Sequence, residues 1–488
     1  MPGFRGNVLK GQSSLAAYSQ DMSGVRLMPR CVAIPADVDD IGPLFDFATN
    51  SSTAITPRGA GSNQSGSAVG TGMIVPTLKL SHVSTPNSGT VWTQAGAIHA
   101  IVDDELRKVG RTLAYDPSSR TFCTVGGNVA TKASGLRGLK YGSVDRWLAS
   151  ARFFSPAFGA IDTRRPSSGL VHAITDLRDE ALSDESVSAF TKRRKDLKSS
   201  SGYNLGALFD HEDPGEIAAH LLCGSVGTLG LISDVELRTI PLPRERALLL
   251  IFFDKLEKAI EMGLKLRRFR PSALELIDEN GLIMMREEGV DTTEDDRALL
   301  MVEFDEEVEA GVASAAEEAD HSSNEVRRLM DPKKVSQAWK VREAMLLMVK
   351  KKMETTTTMV PPFVEDLAVP PDDLLAFARK MLQVFGREGL EPAIYGHVGE
   401  GNLHFRPPIP LADRERLVDR LGDECVSIAL SFGGTVTAEH GSGRLRLGYS
   451  EKEFGRPVLE FFDRIKRTFD PKGVLNPGVM PSTTLLQQ

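Results

Sequence analysis

PRGAGSNQSG, residues 57–66, places three glycines and several small polar residues in the eight positions after Arg58. Glycine lets consecutive backbone N–H groups turn toward one point, and small side chains leave that point open, so such a loop suits an anion such as a pyrophosphate. It is neither of the two common phosphate loops: the G-x-G-x-x-G spacing is absent, no helix clearly follows, and G-K-[ST] is missing. By itself it is equally a flexible surface connection. Two further segments change its weight. TFCTVGGNVATKASGLRGLKYGSV, residues 121–144, carries the pair Gly126–Gly127, where backbone can approach a flat ligand closely. CGSVGTLGLIS, residues 223–233, is the third. Three such segments with short strands between them suggest one extended ligand threaded along the backbone.

The rest of the chain bounds what surrounds that ligand. With 488 residues, 41% hydrophobic and 25% charged, it reads as a globular protein of two or three domains sharing one body. A net charge of −8 argues against a nucleic-acid partner, since a phosphate backbone selects basic surfaces. Cys31, Cys123, Cys223 and Cys425 are too scattered for a disulfide framework or an iron–sulfur cluster. The start, MPGFRGNVLKGQSS, lacks the apolar core of a signal peptide. The strongest apolar run, ALLLIFF at 247–253, is too short to span a bilayer and reads as a buried strand. A cytoplasmic protein without a transmembrane segment is expected, peripheral at a membrane only through a partner.

Residues 1–28 read as an N-terminal arm, and a helix is expected to start near Asp37–Asp40. Pro241 and Pro243 close a first domain, 29–241. A second unit, 242–432, opens with a strand at 248–253 and the helix KLEKAIEMGLKLRR. Within it EEVEAGVASAAEEADHSSNEVRRLM, residues 306–330, reads as a plain charged helix with a solvated face. The C-terminal segment, 433–488, ends in a helix stopped by Asp470–Pro471.

Chemistry is concentrated late in the chain. YGHVGEGNLHFRP, residues 395–407, holds His397 and His404 seven positions apart. On a straight strand an odd offset puts them on opposite faces, and three glycines make a helix improbable. A bend at Gly399–Gly401 brings both rings to one side, where neutral imidazoles suit a divalent transition metal; a pair of structural histidines is the other reading. Arg342, in QAWKVREAM at 337–345, offers a planar fork for a carboxylate, although an arginine on a helix is as readily solvated.

Taken in order, the three loops resemble the FAD-binding domain of the vanillyl-alcohol oxidase / p-cresol methylhydroxylase flavoproteins. YGHVGEGNLH, TAEHGSG and FDPKGVLNPG resemble the C-terminal half of the branch that holds D-lactate dehydrogenases, the glycolate oxidase flavoprotein subunit and D-2-hydroxyglutarate dehydrogenases. The resemblance covers residues 30–480. It implies an α+β fold: a two-subdomain FAD-binding domain, an α/β substrate (cap) domain with an antiparallel sheet, and a C-terminal tail returning to the flavin. It implies that Arg58, Gly59, Ala60, Gly61, Ser62 and Asn63 wrap the FAD diphosphate, that Gly126, Gly127 and Asn128 lie near the flavin ring, and that Gly224, Ser225, Gly227, Thr228 and Ile232 follow the adenosine and ribityl side. Asn476 would reach the flavin from the tail. Val226 and Lys132 depart from the family pattern, and Ser62 stands where relatives with covalent flavin often carry histidine, so non-covalent FAD is expected.

The same resemblance implies a divalent metal (zinc, manganese or iron) on His397, His404 and Glu439, with open positions for substrate, and His440 as general base. Arg342, in the pattern W-x-x-R-E, would bind the substrate carboxylate. Val364 and Leu346 replace a lysine and a hydroxyl found in relatives specific for the larger dicarboxylate, which favours D-lactate or a similar small or apolar D-2-hydroxy acid. The expected reaction is oxidation of that acid by hydride transfer to FAD. Electrons would pass to a separate iron–sulfur subunit, an electron-transfer flavoprotein or a quinone, and a homodimer is compatible with the pattern. A flavin-binding subunit without turnover in a glycolate oxidase-like complex and a flavin-free metal hydrolase are the alternatives in kind, and a D-2-hydroxyglutarate dehydrogenase is the alternative in substrate. Retention of all four of His397, His404, Glu439 and His440 argues against the first, and the glycine loops argue against the second.

Overall fold

The computed structural model describes residues 2–484 other than Ser88 and Glu288. ALLLIFF shows how its cap domain is layered. All seven residues of the strand Ala247–Phe253 are buried. Because neighbouring side chains point to opposite faces of a sheet, Leu249, Ile251 and Phe253 enter one core while Leu248, Leu250 and Phe252 enter another. The strand lies within a six-stranded sheet ordered Glu325–Leu329, Ala247–Phe253, Ala298–Phe304, Ala273–Asp278, Ala393–His397, Asn402–Arg406. Every pairing in it is antiparallel. Helices Leu256–Leu266, Val308–Asp320 and Leu374–Arg387 pack on one face. Glu279–Glu287, Pro332–Glu343 and Met345–Met353 pack on the other.

Residues 306–330 are not a single solvated helix: the helix Val308–Asp320 buries Val312, Ala315, Ala316 and Ala319, and Glu325–Leu329 is the edge strand of the sheet. The His-Ser-Ser-Asn break separates them. Charged side chains on the second piece suit an edge, where they discourage pairing with other chains.

The first half is built on two smaller sheets. One is ordered Asn7–Leu9, Cys31–Ile34, Met73–Pro76, Ile55–Arg58, and its last three strands are parallel. Asp37 accepts a hydrogen bond from the Asp39 N–H at the turn that leads into the helix Ile41–Ser51. The other sheet is antiparallel, ordered Thr90–Gln94, Leu231–Arg238, Leu148–Ser155, Gly159–Asp162. Within the expected N-terminal arm, Asn7–Leu9 forms the edge strand of the first of these sheets. The C-terminal helix Ser450–Phe469 sinks Phe454, Leu459, Phe462 and Ile465 into the core of this half. Beyond it the tail clasps the first sheet: the Ile55 N–H donates to the Val474 carbonyl and the Asn476 N–H to the Ile55 carbonyl, each at 2.7 Å.

The two halves are joined by a buried ion pair. Arg137, from the second glycine-rich segment, donates through Nε and Nη2 to the two oxygens of Glu303 on the cap sheet, both at 2.7 Å. Trp339 Nε1 donates to the same carboxylate at 2.7 Å, and Asp116 holds the far side of the guanidinium. Removing one partner strands a buried charge, which costs about 3–5 kcal/mol. Arg137→Met is therefore expected to lower thermal stability by about that amount, and Arg137→Met with Glu303→Leu to cost less than the two single changes combined; additive losses in calorimetry would show that the pair is not coupled.

Candidate active site

The hairpin formed by Ala393–His397 and Asn402–Arg406 resolves the odd spacing of the histidines. His397 pairs with Asn402, and Tyr395 with His404. Directly opposed residues share a face, as do alternate residues on one strand, so Tyr395, His397, His404 and Arg406 all point to one side. Gly401 closes the turn with φ +73°, and a Cβ there would lie 2.0 Å from the Val369 carbonyl oxygen. The two imidazoles stand 5.7 Å apart at 78°.

Each ring is oriented from behind. His397 Nδ1 hydrogen-bonds Glu275 Oε1 at 2.5 Å, and His404 Nδ1 hydrogen-bonds the Glu365 carbonyl. Both Nε2 atoms then face Glu439, at 3.1 Å for His397 and 3.4 Å for His404. Two imidazoles with backed Nδ1 atoms, converging with one carboxylate, form a donor set suited to a divalent transition metal. Lys198, buried beside them, places Nζ 3.1 Å from Glu439 and 3.1 Å from Glu400. Burial would raise the Glu439 pKa, but Lys198 and His397 outweigh it and hold the carboxyl well below its usual range.

His440 presents its other nitrogen to the cavity. Its backbone N–H donates to Asp366 at 2.9 Å, and its Nδ1 lies 3.6 Å from Glu365 and 3.5 Å from Asp366. Carboxylates behind Nδ1 favour the proton there and leave the Nε2 lone pair facing the cavity. Burial lowers the His440 pKa, but Asp366, Glu365 and Glu439 outweigh that and raise it above the ordinary imidazole value.

Arg342, on the helix Pro332–Glu343, is buried. Its Nε and Nη2 both donate to Glu275 Oε2, at 2.9 and 2.5 Å, and its guanidinium lies 5.0 Å over the Tyr395 ring. Glu275 thus joins Arg342 to His397.

A cavity of about 680 Å³ brings these groups to the glycine loops. Gly59, Ala60, Gly61, Ser62 and Asn63 line it from the first loop, Gly126, Gly127 and Asn128 from the second, and Gly227 and Ile232 from the third. Arg342, His397, His404, Glu439 and His440 line its other side. Several of the expected ligand-contact residues also hold the protein's own backbone. Arg58 touches the cavity, but its guanidinium donates to the carbonyls of Ala68 and Gln20 at 2.8 and 2.9 Å, because a buried cation must be hydrogen-bonded. Gly224, Ser225 and Thr228 lie behind the wall: the Gly224 N–H donates to Val129 and the Thr228 hydroxyl to Ser225. Asn476, expected at the flavin, donates its amide to Ser67 and Val226 carbonyls at 2.9 and 2.7 Å, and so ties the first loop to the third.

Residues 29–161 match the family "FAD binding domain", and residues 242–480 match "FAD linked oxidases, C-terminal domain". The chain belongs to the FAD-linked oxidases. This FAD-linked oxidase is 26% identical to a D-2-hydroxyglutarate dehydrogenase of Pantoea ananatis over 98% of its own length and 50% of that protein's. It is 28% identical to a D-lactate dehydrogenase of Archaeoglobus fulgidus, covering 95% of each chain, and 24% identical to glycolate oxidase subunit GlcD of Bacillus subtilis, covering 95% and 91%. Against the D-2-hydroxyglutarate dehydrogenases that match it, the chain spans about half of their length. Its fold is also that of an alkyldihydroxyacetonephosphate synthase structure, with TM-score 0.68 at 17% identity over 96% of this chain and 82% of that one. No described helix of this FAD-linked oxidase is long and apolar enough to cross a membrane.

Sequence reasoning missed Glu275, Lys198 and Arg406. Glu275 was the most accessible of them: an acid at an inner position of the apolar strand ALELID requires a buried cation. Gly59 supplies a direct test of the loop. A Cβ there would meet Thr124 Oγ1 at 2.3 Å, so Gly59→Val is expected to weaken FAD binding by about tenfold or more, the equivalent of about 1.4 kcal/mol. Flavin absorbance per mole of purified protein reads this; unchanged flavin content would detach the loop from the cofactor.

Proposed function

We propose that this FAD-linked oxidase oxidises a D-2-hydroxy acid to the 2-keto acid and passes the electrons to a separate acceptor. What supports this most is that a single cavity is lined by the three glycine loops at one side and by His397, His404, Glu439, His440 and Arg342 at the other. FAD, when bound non-covalently along the loops, supplies the acceptor for the Cα hydride. A divalent metal, when held by His397, His404 and Glu439, supplies Lewis-acid polarisation of the hydroxyl and carboxylate.

The chain's own residues do the rest. Arg342, held by Glu275, has Nη1 left to meet a carboxylate at the cavity wall. His440 Nε2 takes the hydroxyl proton as the Cα hydride departs, leaving the carbonyl of the product. Leu346 lines the cavity and Val364 belongs to the cap core, so neither adds a group for a second carboxylate; D-lactate or another small or apolar acid is the preferred substrate. The proposed acceptor is an iron–sulfur subunit, an electron-transfer flavoprotein or a quinone.

Anaerobic mixing with D-lactate, D-2-hydroxyglutarate, glycolate and L-lactate tests the reaction, with D-lactate expected to bleach the flavin. If no D-2-hydroxy acid bleaches it, the proposal fails. Glu275→Gln is expected to lower metal affinity about 10–100-fold by loosening His397, with FAD content unchanged. Metal content after dialysis measures this, and full retention would show that Glu275 does not orient a ligand.

A further inference from the structure

Lys198 places a positive charge directly behind a carboxylate of the metal donor set. Its side chain is 8% exposed, and Nζ lies 3.1 Å from Glu439 Oε2 and 3.1 Å from Glu400 Oε2. Among the described residues it is the one lysine or arginine paired with Glu439. Lys198 does not line the cavity, so it acts on anything bound there only through Glu439. The backbone beside it is fastened to the segment that carries Glu439. The Ser200 N–H donates to the Thr437 carbonyl at 3.1 Å. The Gly441 N–H donates to the Ser200 hydroxyl at 3.0 Å, and the Gly202 N–H to the Ser442 hydroxyl at 2.8 Å. Nζ is thus held against the carboxylate by its surroundings.

Glu439 does not need Lys198 to be oriented. His397 Nε2 addresses Oε2 at 3.1 Å, and His404 Nε2 addresses Oε1 at 3.4 Å. The Glu439 backbone N–H donates to Asp366 at 3.3 Å. What Lys198 adds is a fixed charge. An ammonium on the same carboxylate as a divalent ion repels that ion across a short, enclosed distance. It also draws on the negative charge of the carboxylate, so the ion receives less of it and stays a stronger Lewis acid. Losing the lysine therefore has two opposed effects on affinity. A loosened ligand weakens metal binding by about 10–100-fold, but here the two rings and Asp366 keep the ligand in place. Relief of like-charge repulsion is the larger effect in a buried site.

We propose that Lys198 tunes the metal through Glu439: it weakens the hold on a divalent ion and leaves that ion a stronger Lewis acid. The inference rests on the metal site of the function proposed above. Glu400, in the turn between the two histidine strands, takes the other side of the ammonium. One lysine thereby ties the turn of the histidine hairpin to the carboxylate that completes the donor set.

The test uses the FAD-loaded protein, stripped of metal with a chelator and titrated with Zn²⁺ against a chromophoric chelator. Lys198→Met is expected to bind Zn²⁺ more tightly than the wild-type protein, by about tenfold or more, with FAD content unchanged. The same variant is expected to lower kcat for D-lactate about tenfold, with a smaller change in KM. Lys198→Arg, which keeps the charge, is expected to restore part of both. Unchanged or weaker Zn²⁺ binding in Lys198→Met would overturn the proposal, because a lysine that only packs or orients gives that result. If Lys198→Met does not fold, Lys198→Gln, which can still donate to one carboxylate, decides by the same sign. If the wild-type protein takes up Zn²⁺ but no D-2-hydroxy acid bleaches its flavin, the proposed reaction falls and the sign of the Zn²⁺ shift still decides on Lys198. If the wild-type protein takes up neither Zn²⁺ nor Mn²⁺, the metal site and this proposal fall together.

Discussion

A single buried carboxylate, Glu275, sets the geometry on which the site depends. It stands on a central strand of the cap sheet, fully buried, and is shared between the Arg342 fork and the His397 ring. Burial would raise its pKa, but His397, Arg342 and Lys198 outweigh that and keep it lowered. A carboxylate held in this way cannot be moved without stranding a charge, so the helix carrying Arg342 and the hairpin carrying His397 are locked to one strand. Glu303 repeats the device one strand away. Glu303 opposes Ala273 in the sheet, two positions from Glu275 and so on the same face. Asp305 follows it and receives Lys140 and Tyr141. One face of the cap sheet therefore presents acids, answered by Arg342 and His397 from the cap and by Arg137 and Lys140 from the FAD-binding half. The substrate groups and the glycine loops are brought to a common cavity by this row of pairs.

The loops show the complementary problem. A glycine-rich segment has few side chains with which to fix itself, so its fixation comes from outside. Asn476 from the tail joins the first loop to the third. Asn63 accepts from the Ser65 and Ser67 N–H groups and donates to the His440 carbonyl, which couples the first loop to the acid–base segment. Arg58 closes the first loop onto the N-terminal residues. The residue types that look like ligand contacts in these motifs are thus partly the struts that hold the backbone N–H groups in place.

This division explains what could be read from the chain and what could not. ALLLIFF, the glycine segments and the two histidines around the glycine bend at 395–407 are local patterns, and local patterns carry period and composition; that Glu439 and His440 join those histidines was implied by the family resemblance, not by spacing. The roles of Glu275 and Lys198 depend on register across strands and on contacts between distant segments, such as the 122 positions separating Glu275 from His397. The seven-residue histidine spacing looked contradictory only for an unbroken strand; in a hairpin whose positions pair as 397 with 402, the reversal at Gly401 puts both on one face. The charged stretch at 306–330 misled because composition does not separate a solvated helix from an edge strand.

Charge balance ties the site residues together. Glu275, Glu365, Asp366, Glu400 and Glu439 surround the three histidines, and Lys198, Arg342, Arg406 and Arg446 answer them. Burial lowers the His397 pKa, but Glu275 and Glu439 outweigh it and raise it to about 9, so without a metal this ring joins the cations of the cluster. A divalent cation held by His397, His404 and Glu439 would take the place of that proton, because a metal ligand must present a free lone pair.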